Sequence, residues 1–303
     1  MSKLRRKIYK LRIKLLYLSN NIKYLFTRGK KVNIVSSSKY KNKIKEDLIL
    51  QKYLLKEGYH TKIISFEDDY QESDLNIIRS VWGYHHKVEK FLEFINNNKT
   101  INDKDLIINN IDKKKQYQIL KENDISTIDT IFLDNIKEYK YNGEKIVIKP
   151  VISASGDNTF IINNVNDLEN VKNLNNIMIQ PFIDGVNDGE ISVIVIDKKI
   201  KYGIKRFPGV FTKYKKEEYI SINNLDKDII DTVNNIILIK EYKEAVFMRI
   251  DFIFDNNCYK VMEVELVDPN LFIETINDSS LKDEVYKSFV KAIKTRQNWC
   301  LVL

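Results

Sequence analysis

Three acidic side chains late in the chain have a spacing that could hold a divalent cation. Asp251 precedes Glu263 and Glu265 within Phe247–Leu271, where apolar and polar residues alternate on both sides of an Asn-rich turn. This period of two predicts a half-buried β-hairpin. If the loop has an odd number of residues, the three acids share one face and lie opposite or diagonal to one another.

Carboxylates at such short distances repel one another, and one or more of them would stay protonated unless a cation bound between them. Hard oxygen ligands of this kind suit Mg²⁺, especially when the phosphates of a substrate complete the coordination shell. A solvated face of an antiparallel sheet would show the same alternation. The hairpin residues alone therefore leave a metal site and a plain polar face both open.

Two lysines and a small-residue loop upstream could bind an anion. Lys113 opens a predicted helix, and Lys149 ends a clear strand that Pro150 stops. Small residues let backbone N–H groups approach a phosphate, although a plain turn has the same composition. The loop after the strand offers Ser153, Ala154, Ser155 and Gly156.

Strands and helices alternate in the first third of the chain. Predicted strands at 32–35, 62–66 and 75–79, with a helix at 46–57, are typical of an α/β domain with a parallel sheet. Ligands of such sheets bind beyond the carboxyl ends of the strands. Arg79, Trp82 and Tyr84 fall at such an end, where a small ligand or a surface turn with one buried Trp would fit. Residues 105–109 predict a further short strand.

The composition limits the class of protein. The chain has 303 residues, of which 43% are hydrophobic and 30% charged, which is enough for a sizeable core and two or three domains. With two Cys and three His, a disulfide framework is excluded and a zinc site is not expected. No apolar run approaches the ~18 residues of a transmembrane helix. The low cysteine count suits a reducing compartment, so we expect a cytoplasmic protein.

Positive charge is concentrated at the amino terminus. Residues 1–31 contain eleven Lys or Arg and no acid, so that the rest of a chain of net charge +8 carries −3, which does not argue for nucleic acid. Apolar residues recur there at helical spacing and predict a basic amphipathic helix. Such an arm can lie on the inner face of a membrane, bind a partner protein, join a homodimer or dock on its own domain.

The motifs follow one another in an order that resembles the ATP-grasp superfamily. The order is Lys113, Lys149-Pro150 with its loop, Gln180–Ile183, Lys205-Arg206, Arg249-x-Asp251 and Glu263-x-Glu265. The chain resembles the carboxylate–amine ligases of the glutathione-synthetase-like and ribosomal-S6-modification-like groups, and most of all the cycloserine-biosynthesis cyclo-ligase type. By motif, the match covers about residues 75–273.

The resemblance implies an α/β architecture in which two α+β lobes hold ATP between them. It also implies an N-terminal parallel-sheet domain before the lobes, here preceded by the basic arm. The expected segments are the arm at 1–31, the N-terminal domain at 32–108, the central lobe at 109–185, and the C-terminal lobe with the metal-binding hairpin at 186–303.

The same resemblance implies roles for individual residues. Lys113 and Lys149 would reach the ATP phosphates, and the loop of Ser153, Ala154, Ser155 and Gly156 would close over them. The adenine hinge would be Gln180, Pro181, Phe182 and Ile183, with Asp184, Asp188 or Glu190 at the ribose. The expected metal ligands are Asp251, Glu263 and Glu265, which would hold two Mg²⁺ or Mn²⁺. Arg249, Lys205 and Arg206 would surround the reacting groups, and Arg79, Trp82, Tyr84 and Asn270 would contact the substrate.

The function implied is an ATP- and Mg²⁺-dependent ligase that activates a small-molecule carboxylate as an acyl phosphate and joins it to an amine. Two alternatives stay open, a phosphotransferase acting on a hydroxyl and a non-catalytic ATP-binding scaffold associated with the membrane. Two positions depart from the common pattern of the superfamily. Glu265 stands where many members have Asn, and Pro181 stands where many have an acidic hinge residue.

Overall fold

The computed structural model describes residues 8, 11–12, 14–15, 30–69, 72–154, 156–208 and 216–299. The chain divides into two compact units, Met1–Lys104 with Ile276–Leu303, and Asp105–Thr275. Most of the predicted basic arm lies outside the described residues. Within the described part of the chain, no helix has the length and apolar character needed to cross a membrane. The four-segment division expected from the sequence stays a prediction.

The helices and strands are numbered along the chain. The helices are α1 (Lys45–Lys56), α2 (Val88–Asn97), α3 (Lys104–Ile111), α4 (Lys113–Glu122), α5 (Lys227–Leu238) and α6 (Ser279–Trp299). The strands are β1 (Lys31–Ser36), β2 (His60–Ser65), β3 (Leu75–Ser80), β4 (Thr100–Ile101), β5 (Ile131–Asn135), β6 (Ile146–Pro150), β7 (Phe160–Ile162), β8 (Asn175–Pro181), β9 (Glu190–Ile196), β10 (Lys199–Phe207), β11 (Lys216–Ile220), β12 (Phe247–Asp255) and β13 (Cys258–Glu265).

The first unit is built on a parallel sheet in the order β2-β1-β3-β4. β1 is buried on both faces after Lys31, as expected for a parallel strand covered on both sides. The last helix, α6, packs against α1 in this unit, where the ring of Tyr286 stacks on Tyr53 with centroids 5.2 Å apart. The predicted N-terminal α/β domain with a parallel sheet is confirmed.

The second unit contains two antiparallel sheets, in the orders β5-β8-β6-β7 and β11-β10-β9-β12-β13. Helix α5 buries Ile229, Val233, Ile236 and Ile237, a stripe of helical spacing that packs in one core with the apolar face of the five-stranded sheet. The opposite face of β12 and β13 carries the acidic residues, so the alternation in the sequence separates the core from the candidate site.

The prediction of a strand at 105–109 is wrong, because these residues lie in helix α3. A short apolar run fits either a buried strand or one turn and a half of buried helix. In the structure Leu106, Ile107, Asn110 and Ile111 are buried, which is the spacing of one helical face. The correction matters for the site, because it turns Asn110 towards the second unit's core.

A glycine fixes the turn that follows β8. A Cβ atom on Gly185 would overlap the carbonyl oxygen of Phe254 in β12, and backbone atoms cannot move aside as a flexible side chain can. The turn of residues Asp184–Asp188 therefore presses directly on the backbone of the hairpin, and any side chain at position 185 must push the two apart.

We expect Gly185→Ala to lower the free energy of unfolding by about 1–3 kcal/mol, because overpacking against backbone forces the turn to move. Asn187→Ala, at an exposed position of the same turn, is the matched control. Thermal midpoints of the two variants and the parent protein give the comparison. Equal midpoints for all three proteins would contradict the close approach.

Candidate active site

A bulge sets the face on which the hairpin acids lie. Asn256 and Asn257 both have positive φ, at 49° and 63°, and form a two-residue turn. Phe252 pairs with Val261, but the next residue, Asp251, pairs with Glu263, so Met262 is an extra residue in β13. A two-residue loop and one bulged residue together place the three acids on one face of the hairpin, as a loop with an odd number of residues would. Asp251 lies opposite Glu263, and Arg249 lies opposite Glu265.

Asp251 is the most heavily bonded of the three acids. Arg249 donates to both of its oxygens, from Nε to Oδ1 at 2.8 Å and from Nη2 to Oδ2 at 2.9 Å. Ser192 Oγ donates to Oδ1 at 2.6 Å, and Arg206 Nη2 lies 3.1 Å from Oδ2. Burial raises the pKa of Asp251, but the charges of Arg206 and Arg249 outweigh it and bring the pKa down to about 2. Asp251 is therefore ionised at any physiological pH.

Lys113 joins the small-residue loop to the hairpin. Its Nζ donates to Glu263 Oε1 at 2.6 Å and to the carbonyl oxygen of Ser153 at 2.9 Å. Burial lowers the pKa of Lys113, but Glu263 and Glu265 outweigh it and hold the pKa above its ordinary value. Burial raises the pKa of Glu263, and Lys113 and Lys149 reverse that shift, so the pKa of Glu263 ends below its usual value. The ammonium group occupies one oxygen of a predicted metal ligand.

Lys149 is in a different electrostatic state from Lys113. Burial lowers the pKa of its ammonium group, and the positive charge of Lys113 lowers it further, more than Glu263 and the other acids raise it. A cation under this stress is stabilised by an added anion. The pair of lysines thus leaves one ammonium group matched by protein carboxylates and the other suited to a bound phosphate.

Two further acids hold protons more tightly than usual. Burial and the charge of Glu263 raise the pKa of Glu265, and burial and Glu265 raise the pKa of Asp268 well above its ordinary value. Asp268 is buried at the end of the hairpin and was not identified from the sequence, where an acid three positions after Glu265 was the available signal. Raised pKa values in a group of carboxylates are what the sequence predicts when no cation joins them.

The donor set fits Mg²⁺, which prefers carboxylate oxygens and usually binds through one or two carboxylates plus substrate phosphates. Glu263 uses Oε1 for Lys113, and Glu265 uses Oε1 for the backbone N–H groups of Val267 and Asp268. Among the described residues, no hydrogen bond reaches either Oε2 atom. A cation could bind these two oxygens without displacing a guanidinium group from Asp251, but Asp251, Glu263 and Glu265 do not bring one oxygen each within 4.8 Å of one another.

Phe272 lies against both guanidinium groups of the site. The central carbons of Arg206 and Arg249 are 5.8 and 5.9 Å from the centre of its ring, a cation–π arrangement. Its φ of 53° is unusual for an aromatic residue. Asn270 Oδ1 accepts the backbone N–H of Phe272 at 3.1 Å, so Asn270, expected at the substrate, shapes this turn. Sequence reasoning missed Phe272.

One residue of the predicted hinge, Gln180, lines a small cleft. Gln180 is buried and donates from Nε2 to Thr130 Oγ1 at 2.9 Å, and the ring of Phe182 lies 3.5 Å from Lys145 Nζ. The cleft has a cavity volume of about 20 Å³. It lies between α4, β8 and β13 and is lined by Lys113, Gln116, Tyr117, Leu120, Thr127, Ile128, Met178, Gln180, Val261 and Met262.

The remaining predicted residues of the second unit are placed as follows. Arg206 lies 3.0 Å from Glu190 and enters the acid cluster, whereas Lys205, its neighbour in β10, has Nζ 5.2 Å from the Phe207 ring. Asp188 is exposed in the turn after β8. Ser155 lies outside the described residues. The other hinge and loop positions are described, and they are Ala154, Gly156, Pro181 and Ile183.

Most of the residues that form this site lie within a segment that matches a known protein family. A sequence profile of the ATP-grasp domain matches residues 110–264, just over half of the chain. This chain belongs to the ATP-grasp family. ATP-grasp ligases bind ATP and Mg²⁺ and form ADP, and the predictions of an ADP-forming ligase with these cofactors are confirmed at that level.

The segment before the ATP-grasp domain also has a match. A profile of the N-terminal domain of D-cycloserine synthetase DcsG matches residues 32–102, which contain the parallel sheet. This match agrees with the predicted resemblance to the cyclo-ligase type of ATP-grasp protein. No curated protein sequence matches the chain significantly.

Solved ATP-grasp structures share the fold at low sequence identity. D-cycloserine synthetase DcsG superposes with a TM-score of 0.75 at 15% identity, over 88% of this chain and 99% of that chain. D-alanine–D-alanine ligase from Bacillus anthracis, in complex with ATP, has a TM-score of 0.61 at 18% identity, over 90% and 98%. ATP-grasp ligase PsnB, in complex with a minimal precursor, has 0.60 at 13%, over 87% and 99%. The predicted ATP-grasp fold is confirmed.

The substrate residues predicted in the first unit have packing partners there. Arg79 is 5% exposed, with Nη2 3.2 Å from Glu46 Oε2 and Nε 3.6 Å from Asp47 Oδ1. Tyr84 is buried with its ring 4.9 Å from that of Phe91, and Trp82 packs edge-on against the ring of Tyr40. Their substrate contacts stay predictions.

We expect Glu263→Gln to weaken Mg²⁺ binding at the ATP-grasp site by at least about 10-fold, because a neutral amide removes one charged ligand. Titration calorimetry of Mg²⁺ into protein saturated with a non-hydrolysable ATP analogue measures the effect. Glu241→Gln makes the same substitution at an exposed position and is the control. An unchanged Mg²⁺ affinity in Glu263→Gln would refute the assignment of this ligand.

Proposed function

We propose that this ATP-grasp protein activates a small-molecule carboxylate as an acyl phosphate and joins it to an amine. The observation that carries the proposal is the convergence of four cations on one group of largely buried carboxylates. Lys113, Arg206 and Arg249 form ion pairs with Glu263, Glu190 and Asp251, and Lys149 is close enough for the charge of Glu263 to raise its pKa. Cations held in place before the reaction stabilise developing negative charge without reorganising. Phosphoryl transfer needs mainly such positioning and charge neutralisation.

The reaction has two steps. A carboxylate oxygen of the substrate attacks the γ-phosphorus of ATP, and the bond from that phosphorus to the bridging oxygen breaks, releasing ADP. The amine nitrogen then attacks the acyl carbon, and inorganic phosphate leaves with the electron pair of the carbon–oxygen bond. The amine gives up one proton during this second step. No nucleophilic side chain of the protein forms a bond with the substrate.

The lysines serve the nucleotide in this proposal. Lys149 is the cation whose lowered pKa a phosphate would restore, so it binds the phosphate chain directly. Lys113 exchanges Glu263 for a phosphate oxygen when the nucleotide binds, while its bond to Ser153 O draws the small-residue loop towards the phosphates. Gln180, buried beside the cleft, and the backbone of the hinge residues after it would contact the purine.

The arginines serve the acid substrate. Asp251 and Phe272 hold Arg249 and Arg206 side by side, so that the two guanidinium groups can face one oxyanion. That arrangement suits a carboxylate that becomes an acyl phosphate and then a tetrahedral adduct. Mg²⁺, bound through Glu263 and Glu265 beside Asp251, would supply positive charge to the phosphate oxygens of the nucleotide.

We expect ATP-dependent formation of a hydroxamate when the protein is incubated with its acid substrate, Mg²⁺ and hydroxylamine, because hydroxylamine traps an acyl phosphate. A screen of amino acids and sugar acids for ADP release finds the acid, and the iron(III) colour of the hydroxamate tests the intermediate. Arg249→Met, which cannot stabilise the oxyanion, should lower the rate by about 100-fold or more.

Two results would redirect the proposal. ADP release with a stable phosphorylated product and no hydroxamate indicates phosphoryl transfer to a hydroxyl. Nucleotide binding without ADP release in any acid and amine mixture indicates a scaffold. The exposed-site variant Glu241→Gln should keep the parent rate and shows that the assay reports the site.

We also propose that the basic arm contacts an anionic membrane surface. Of its apolar stripe, Ile8, Leu11 and Leu15 are described, and they are helical and 46%, 62% and 59% exposed. The segment carries eleven positive charges and no acid. Exposed apolar residues on a basic helix fit the headgroup region of an anionic bilayer.

Deleting residues 1–28 should abolish co-sedimentation with vesicles of phosphatidylcholine and phosphatidylglycerol and leave ADP release unchanged. Vesicles of phosphatidylcholine alone are the control, because the charge attraction is then absent. Equal sedimentation of the full chain with both vesicle types, or of the truncated and full chains with anionic vesicles, would argue against membrane contact. Loss of solubility on deletion would instead indicate that the arm docks on protein.

A further inference from the structure

Strand β13 carries the acidic ligands at one edge of the five-stranded sheet. In the order β11-β10-β9-β12-β13 it is paired on one side by β12. The backbone N–H and C=O groups of alternate residues on its other side, at Val264 and Leu266, point away from β12. Buried backbone groups at a sheet edge need other partners, because leaving them unbonded costs free energy.

Two side-chain amides supply those partners. Gln116 in α4 accepts the N–H of Val264 at 2.8 Å and donates to its C=O at 2.9 Å. Asn110 in α3 donates to the same C=O at 2.8 Å and accepts the N–H of Leu266 at 3.0 Å. We name these four hydrogen bonds the amide clamp. The clamp does with side chains what a neighbouring strand would do with its backbone.

The amide clamp is placed around a metal ligand. Glu263 precedes Val264, and Glu265 stands between the two clamped residues. Both clamp amides are nearly inaccessible, with Asn110 5% and Gln116 4% exposed, so water does not compete for the bonds. The backbone on both sides of Glu265 is therefore fixed by contacts that the carboxylates themselves do not make.

The bulge explains why the strand needs such a fixture. Met262 is the extra residue, and the bulge could move along β13 if nothing held the residues after it. A shift of one position would turn Glu263 and Glu265 to the apolar face of the sheet. The amide clamp begins at Val264, two residues after the bulge, and holds the register in which Asp251 lies opposite Glu263.

The same helix carries a phosphate-binding candidate and half of the clamp. Lys113 and Gln116 are three residues apart in α4, and so lie on one face of the helix. Lys113 bonds the carboxylate of Glu263 while Gln116 bonds the backbone of the next residue. One rigid element thus sets the position of an ammonium group relative to the strand that bears the acids.

We propose that Asn110 and Gln116 are positioning residues that hold Glu263 and Glu265 in register for Mg²⁺. The proposal rests on the metal role proposed for these two acids. Gln116 also lines the cleft beside Gln180, but both polar atoms of its amide are bonded to Val264, and neither amide touches the metal in this proposal. The two amides act through the backbone of β13, in the way that outer contacts orient metal ligands.

The test is Gln116→Met, which keeps the length of the side chain and removes both polar atoms. Mg²⁺ is titrated into protein saturated with the ATP analogue AMP-PNP, and affinity should fall about 10- to 100-fold, the usual effect of losing such an outer contact. Binding of metal-free ADP by Asn110→Leu, whose side chain does not line the cleft beside Gln180, should change little, because Lys113 and Lys149 are intact. Gln118→Met, at an exposed position on the same helix, is the matched control.

A purely structural role predicts a different pattern. In that case Gln116→Met lowers the thermal midpoint but binds Mg²⁺ as tightly as Gln118→Met, and this result overturns the proposal. If Gln116→Met does not fold, Asn110→Leu removes the other half of the clamp, and the same titration on that variant decides.

A measurement on the unaltered protein tests the clamp directly. The amide hydrogens of Val264 and Leu266 should exchange slowly without ligand, like those of a paired strand, because each N–H is bonded to a buried side chain. Exchange as fast as that of a solvated edge would overturn the proposal. If Glu263→Gln also leaves Mg²⁺ binding unchanged, the metal assignment itself fails. If Glu263→Gln weakens Mg²⁺ binding but Gln116→Met leaves it unchanged, only the positioning role fails.

Discussion

The bonding of Asp251 to two guanidinium groups is the interaction on which the rest of the site depends. A buried carboxylate is costly unless several donors satisfy it, and here Ser192, Arg206 and Arg249 do so from three adjacent strands. The acid therefore fixes the positions of the arginines as much as they fix its ionisation. The ring of Phe272 completes the arrangement by contacting both arginines.

Some charged groups of the site are neutralised by a partner in the free protein, and others have shifted pKa values. Asp251 and Arg249 satisfy each other and would change little when a ligand arrives. Glu265 and Asp268 hold protons above their ordinary range, and Lys149 holds its proton less tightly than usual. A nucleotide phosphate and a divalent cation would relieve both deviations at once, since one adds negative charge beside the lysine and the other adds positive charge beside the acids. The electrostatics of the free protein thus favour joint binding of the two.

The parts of the site that local sequence could indicate are those in which the residue types themselves carry the chemistry. Lys149 before Pro150 and the alternating acids of the hairpin belong to this class. The bulge at Met262 has no local signature, because any residue type can be the extra one. The amide clamp was hidden for a second reason: a short apolar run was assigned to a strand, and the bonds of Asn110 and Gln116 span about 150 positions of the chain. Contacts of that separation depend on the tertiary fold.

The bulge also makes the hairpin sensitive to length in a way that substitution does not reveal. Loss of one residue, from the Asn256-Asn257 turn or at Met262, would exchange the apolar and acidic faces of half the hairpin. Loss of one residue at each place would restore them. Among homologous chains, insertions and deletions between Asp251 and Glu263 should therefore occur in even numbers. The active site is in this sense encoded by the parity of a chain segment as well as by the identity of its residues.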